Sequence, residues 1–249
     1  MKYYNFCRIC KTATVTAFLF FAIVFQSCLA QTKPDEPNGY DKASYDAAQQ
    51  GKFMRTWLVA GPVSIRNDSL DVADSLQAKA FKEDQLSTVD VVSGKPISPV
   101  RIKEKDLQWK LVTSDEDAVI LDKIYEGKDF AYAYALAEIK AVKPTNVMLG
   151  VGSDDGVRLW HNGKLIHDNW IPRGVNKDDD IIPLKLVKGS NQILLKVQDI
   201  KGGWSFVVRM LDKAALSDQL SSAAGNGNLD KINSLIEGGA DVNAKILPV

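Results

Sequence analysis

The side chains able to do chemistry crowd into one stretch of the chain. Asp154-Asp155-Gly156 is followed by Arg158, Trp160, His161, His167 and Trp170. Adjacent carboxylates offer the oxygen donors that a hard cation takes. Asp and Gly are equally the default residues of a turn, because Asp bonds its own backbone and Gly accepts positive φ. An aromatic ring beside a cation and an imidazole suits sugar: the ring stacks on C–H faces and the polar groups bond hydroxyls. A second acidic run, Asp178-Asp179-Asp180, reads as a solvated loop, since like charges this close repel. If it folded near Asp154, the two acid clusters would favour calcium. Only two histidines exist, which thins the options for acid–base or zinc chemistry. No Gly-x-Ser-x-Gly elbow, Gly-rich phosphate loop or His-Glu-x-x-His is present. No catalytic residue is assigned, and the chain is expected not to be an enzyme.

The elements that must position these residues are short strands. Val157–His161 and Lys164–Asp168 flank Asn162-Gly163, the strongest short hairpin signal, because a type I′ turn needs φ > 0 at both positions. The two-residue turn sets His161 against Lys164, Trp160 against Leu165, Leu159 against Ile166 and Arg158 against His167. One face then holds Val157, Leu159 and Ile166, the core side. The other holds Arg158, Trp160, Leu165 and His167. Two readings of that second face stay open: a sugar platform, or a ring covered by a neighbouring loop with Arg158 paired to a local acid. His161 and His167 fall on opposite faces and should not share a metal.

Further strands are expected at Phe53–Val63, Phe130–Lys140, Asn146–Val151, Ile181–Val187, Gln192–Asp199 and Trp204–Leu211. Gly, Asn and Asp clusters separate them, the pattern of an antiparallel sandwich. Helical spacing of apolar residues predicts one helix near Asp71–Phe81.

The N-terminus reads as an export signal. Lys2, Arg8 and Lys11 precede an apolar run, Val15–Phe25, too short to span a bilayer. Cleavage after Ala30 places the small residues Cys28 and Ala30 at the two pocket positions. The alternative is a lipid on Cys28, as in bacterial lipoproteins, which would be the chain's only membrane attachment. The segment holds no acid, so the rest carries 28 basic against 31 acidic groups, a net charge of −3. That balance gives no electrostatic reason to bind nucleic acid. Cys7, Cys10 and Cys28 are all the cysteines. The exported chain therefore has neither a disulfide nor a thiol catalyst, and must be held by its core. The expected organisation is a signal peptide at 1–30, a linker with a short helical lead-in at 31–51, a β-sandwich at 52–211 and a helical segment at 212–249.

Two stretches carry family resemblances. Trp57–Pro62 (WLVAGP), Leu149–Lys164 (LGVGSDDGVRLWHNGK) and Val187–Val197 (VKGSNQILLKV) resemble the jelly-roll accessory domains of secreted bacterial glycan-processing proteins. They are also similar to protective-antigen-type lectin domains. The resemblance implies a mainly β, antiparallel jelly-roll sandwich that binds carbohydrate. In the calcium-dependent lectins a neighbouring Asp pair holds the ion, a role it would give Asp154 and Asp155. The tail, Leu220–Lys245, resembles one ankyrin repeat, with Ala223, Ala224, Ile232, Leu235 and Ile236 as its packing residues. One repeat cannot bury its own apolar face, so it must dock elsewhere. The expectation is an exported, periplasmic or cell-surface module that binds glycan, with Arg158, Trp160, His167 and Trp170 as candidate contacts. The alternative is a scaffolding protein whose partner is a protein held by the repeat.

Overall fold

In the computed structural model, which describes residues 39–66, 71–92, 95 and 97–243, the alternating runs become strands. In chain order, α1 (Gly39–Lys42), β1 (Ser44–Asp46), β2 (Thr56–Ser64) and α2 (Asp74–Lys82) come first. The short strands β3 (Val100–Ile102), β4 (Lys105–Leu107), β5 (Lys110–Thr113) and β6 (Val119–Ile120) follow, then α3 (Leu121–Tyr125). The long strands are β7 (Ala131–Ala141), β8 (Thr145–Asp154) and β12 (Gly189–Asp199). Between the last two lie β9 (Gly156–His161), β10 (Lys164–Asn169) and β11 (Asp180–Leu186). β13 (Ser205–Met210), α4 (Lys213–Gly225) and α5 (Leu229–Glu237) complete the described elements. The expected export signal, its cleavage after Ala30 and the lipid on Cys28 lie outside the described residues.

The strands make two main sheets. One runs β10-β9-β12-β7-β2-β5, with β1 joining β7 in parallel beyond the end of β2. The other runs β11-β8-β13-β6 and is antiparallel throughout. Alternation decides what lies between them. On β7 the odd positions, Ala131 to Ala141, enter a core shared with Ile193, Leu195 and Val197 of β12 and Val147, Leu149 and Val151 of β8. Residues of both sheets thus meet in one apolar layer, closed by Trp57, Trp204 and Phe206.

The outer face of the first sheet is also covered. The even positions of β7, Tyr132, Tyr134 and Leu136, join Trp160, Leu194, Ala80 and Ile102 in a second apolar cluster under α2 and the β3–β4 hairpin. A third cluster puts the αα-hairpin on the outer face of the second sheet. Leu216, Ala223 and Leu235 pack there with Met148 of β8 and Ile181 of β11. Asp212 and Asn228 start the two helices, accepting from the backbone amides of Ala215 (2.8 Å) and Lys231 (3.0 Å). Of the expected packing residues, Ala223 and Leu235 are buried and Ile232 partly so, while Ala224 and Ile236 are exposed. A single docked helix pair does not distinguish an ankyrin repeat from other αα-hairpins.

Of residues 31–51, expected as linker and lead-in, the part from 39 on is described; it holds α1 and then β1, which joins the sheet. Ala43 is fully buried, and Ser44, Tyr45 and Asp46 pair with Glu138, Ile139 and Lys140.

Candidate functional site

The Asn-Gly hairpin forms, with Asn162 and Gly163 at φ 47° and 81°. His161 faces Lys164 and Trp160 faces Leu165, as expected. A bulge at Ile166 then shifts the register, so His167 faces Leu159 and Asp168 faces Arg158. The expected Arg158–His167 pairing is therefore replaced. A bulge inserts one residue and turns every later side chain to the opposite face.

That shift, with the covering helix, disperses the expected sugar contacts. Trp160 is 2% exposed and belongs to the second cluster, so its ring offers no open platform. Arg158 is buried over it, 5.2 Å from the ring centroid, and pairs with Asp84 and with Asp168 at 3.2 Å. It also donates to the Lys82 carbonyl at 3.1 Å, at the end of α2. The second of the two readings, a covered ring and a paired arginine, is what the fold presents. His167 lies 3.2 Å from an Asp180 oxygen. Trp170 is half-buried over Gly156, where an added Cβ would meet its ring at 3.2 Å. These four side chains do not share one open surface.

The two acid clusters do meet, and the chain supplies the cation. Arg173 donates its backbone amide to Asp155 Oδ1 (2.8 Å) and its guanidinium to Asp180 Oδ2 (2.5 Å) and Ser153 Oγ (2.9 Å). The other Asp155 oxygen accepts from the Ile200 amide at 2.7 Å. Asp178 pairs with Arg209. Gly152 makes room for this loop: a Cβ there would lie 1.7 Å from the Asn176 carbonyl oxygen. Burial opposes the Asp180 charge, but His167 and Arg173 outweigh it and hold the carboxyl well below its ordinary range. Burial pushes Asp154 up to about 6, helped by Asp155 and Asp122. Among the described residues no three acidic, histidine or cysteine side chains converge as a metal site. The calcium assigned to Asp154 and Asp155 does not fit this arrangement.

The open site lies elsewhere, on the outer face of the first sheet near the hairpin turn. A groove of about 510 Å³ is lined by Tyr40, Asp41, Val89, Asp90, Val91, Glu138, Lys140, Asn162, Ser190 and Gln192. Its volume falls in the range of small-molecule sites, about 300–1,000 Å³. The floor is β7 and β12. Glu138 is 4% exposed, and its Oε2 accepts from Ser44 Oγ (2.9 Å) and lies 3.2 Å from Lys140 Nζ. Gln192 pins one wall, accepting from Thr88 Oγ1 (2.9 Å) and the Val89 amide (2.8 Å) and donating to the Val89 carbonyl (2.8 Å). Asn162 fixes the hairpin turn to the floor, its side chain accepting from the Gln192 amide at 2.7 Å. Tyr40 of α1 hydrogen-bonds Ser190 and Gln192. Burial, and next the Glu138 charge, push its phenol up to about 12, so it stays a neutral donor and acceptor.

Sequence reasoning missed this groove because Tyr40 and Asp41 sat in the assumed linker. A signal existed in the long strands. Glu138, Gln192, Lys196 and Gln198 are polar residues in phase with Leu136 and Leu194, on a face that is buried. Such residues mark a polar network or a site.

No family model matches the chain, and no curated protein matches it in sequence. A β-glucosidase from Kluyveromyces marxianus is similar over 51% of this chain at 13% identity and TM-score 0.36. This chain spans only 18% of that enzyme. The PA14 sugar-binding domain of an RTX adhesin is similar at 14% identity and TM-score 0.31, covering 63% of this chain and 90% of the domain. A family 35 carbohydrate binding module from Clostridium thermocellum is similar at 14% identity and TM-score 0.25, covering 37% and 87%. These TM-scores are below 0.5, so the likeness assigns neither ligand nor activity.

Proposed function

We propose that this chain is an exported, non-catalytic module of jelly-roll type that binds a glycan in the Tyr40–Glu138–Gln192 groove. The observation that carries the proposal is the lining of that groove. Phenol, amide, hydroxyl and carboxyl groups lie within one cavity beside the apolar surfaces of Val89 and Val91. Sugars present both hydroxyls and C–H faces, and this mixture serves both. Pinning by Gln192 and Asn162 sets the polar groups before a ligand arrives, which lowers the ordering cost of binding.

Glycan-array binding by the purified protein tests this. We expect binding by the wild type and a loss of at least about tenfold in Tyr40→Ala, since a buried hydrogen-bonding aromatic is removed. An array with no binding overturns the glycan reading. A second reading then gains, in which the αα-hairpin contacts a protein partner, ankyrin-like, through its exposed Leu229, Ile236 and Val242.

A further inference from the structure

We propose that α2 and the residues behind it, as far as Gln85, form an autoinhibitory strap over a second binding site, and that this site takes a sugar bearing a carboxylate. The seam between the strap and the outer face of the first sheet is the reason. α2 has nine residues, and no side chain caps its N-terminus. Of these nine only Gln77, Ala80 and Phe81 are buried, so Phe81 is its one large apolar anchor. A short helix so held sits at the low end of local stability. The other contacts are polar. Lys196 donates to the carbonyls of Phe81 (3.2 Å) and Glu83 (2.9 Å), and Arg158 to the Lys82 carbonyl (3.1 Å) and the Asp84 carboxylate. Gln198 donates to the Gln77 carbonyl at 3.1 Å, Gln85 accepts from the Tyr132 hydroxyl at 2.9 Å, and Lys82 reaches Asp168 at 2.7 Å. The match is incomplete. Gln77 Oε1 on the strap, and Gln198 Oε1 and Arg158 Nε on the sheet, are buried with no hydrogen-bond partner among the described residues. Their residues are 2%, 0% and 4% exposed. Buried polar atoms left unpaired cost free energy, and a ligand that supplies their partners gains what the closed strap forgoes.

The chemistry beneath the strap selects the ligand. Arg158 lies 5.2 Å from the Trp160 ring centroid, and Lys196 and Lys103 lie 4.2 and 5.8 Å from that of Tyr132. Asp168 of β10 is 3.2 Å from Arg158. Three cations against this carboxylate leave the sheet side of the seam positive. The strap answers with acceptors: Asp84 on the guanidinium, and backbone carbonyls on the ammonium of Lys196. It thus stands where the carboxylate and hydroxyl oxygens of an acidic sugar would stand. Burial, and next the Arg158 charge, push the Lys196 ammonium down to about 7, so the closed seam leaves this charge short of anions. With the strap lifted, the Arg158 fork takes a carboxylate through two donors, and the Trp160 and Tyr132 rings offer faces to sugar C–H groups. A neutral sugar brings no anion to these cations. None of these residues lines the Tyr40–Glu138–Gln192 groove, so the inference does not rest on that groove being a glycan site.

Calorimetric titration with trigalacturonate and with its methyl ester, which differs only in lacking the charges, tests the inference. The wild type should bind the acid at least about tenfold more tightly than the ester, since the ester loses its charge-assisted hydrogen bonds. Asp84→Asn weakens the strap's hold on Arg158 and should tighten binding of the acid severalfold, because apparent affinity follows the fraction of molecules with the strap open. Should that variant fail to fold, Phe81→Leu, which shrinks the apolar anchor, makes the same test. Hydrogen exchange of the wild type supplies a readout free of substitutions. Saturating trigalacturonate should speed exchange in α2, since the ligand displaces it, while slowing exchange in β9 and β12. Equal binding of acid and ester, binding of neither, or exchange in α2 that is unchanged or slowed by the acid each overturns the inference and leaves the groove reading to its own test.

Discussion

The two faces of β12 are built by opposite rules. Toward the second sheet it presents Ile193, Leu195 and Val197, all fully buried among apolar side chains. On its other face it presents Gln192, partly buried, and Leu194, Lys196 and Gln198, all buried, so three of the four are polar. The inner layer needs only shape and apolar area, because there sheet meets sheet. The outer layer is covered by loops and one helix, whose backbone ends need partners. Lys196 Nζ donates to the carbonyls of Ala80, Phe81 and Glu83, closing the C-terminal end of α2, and lies 4.2 Å over the Tyr132 ring. Gln198 donates to the Gln77 carbonyl at 3.1 Å, and Arg158 to those of Phe81 and Lys82. One sheet therefore carries a dry core on one side and a polar clasp on the other, and the groove opens at the margin of the clasp.

The largest test of this contrast is Trp57→Ala in the inner layer. Trp57 is fully buried and packs edge-to-face on Phe206, with ring centroids 5.3 Å apart. Its removal leaves a cavity between the sheets, and we expect a loss of about 3–5 kcal/mol in denaturant unfolding. A loss below about 1 kcal/mol would mean that the inner layer repacks and is not the rigid half of the molecule. The outer layer should respond less and differently. Lys196→Met keeps the volume but leaves the Ala80 and Glu83 carbonyls without their donor, and Phe81 with Arg158 alone. A loss of about 1–3 kcal/mol is expected, from hydrogen bonds to a charged group. Hydrogen exchange should show faster opening of α2 with β8 and β13 unchanged. Uniform loosening of both layers would show that the clasp and the core are one cooperative unit.

The inner layer was legible in the sequence and the outer one was not. Period-two alternation in Phe130–Lys140 and Gln192–Asp199, and the Asn-Gly turn, placed the long strands within a few residues of their positions. Local pattern suffices there because each strand reports its own buried face. The segment from Lys82 to Asp129 gave weak signals, and its strands are two to four residues long. They are set by contacts with a sheet built from residues far along the chain. The bulge at Ile166 was invisible for the same reason. Its register answers to Asp168 meeting Arg158, and Arg158 answers in turn to α2. The groove depends on Tyr40 reaching residues 190 and 192, a contact across 150 residues that no spacing rule reports.

The smallest expected effect concerns Asp199, at the end of β12 where both layers meet a carboxylate cluster. Asp199 is fully buried; one oxygen accepts from the Phe130 amide at 3.0 Å and the other has no hydrogen-bond partner among the described residues. Burial, then the charges of Asp129, Asp155 and Asp122, push its carboxyl up to about 8. The folded chain therefore keeps a proton that the unfolded chain releases near the ordinary value of 3.8. Below that value both states are protonated and Asp199 costs nothing. As pH rises from about 4 to 8 the folded state binds more protons than the unfolded one, so stability falls through this window and the full cost remains above it. Asparagine imitates the protonated acid and does not titrate. Asp199→Asn should match the wild type at pH 4 and be the more stable of the two at pH 8. Asp154, pushed the same way, remains in both proteins and cancels in the difference. A variant less stable than the wild type at pH 8 would show that Asp199 is ionised and satisfied.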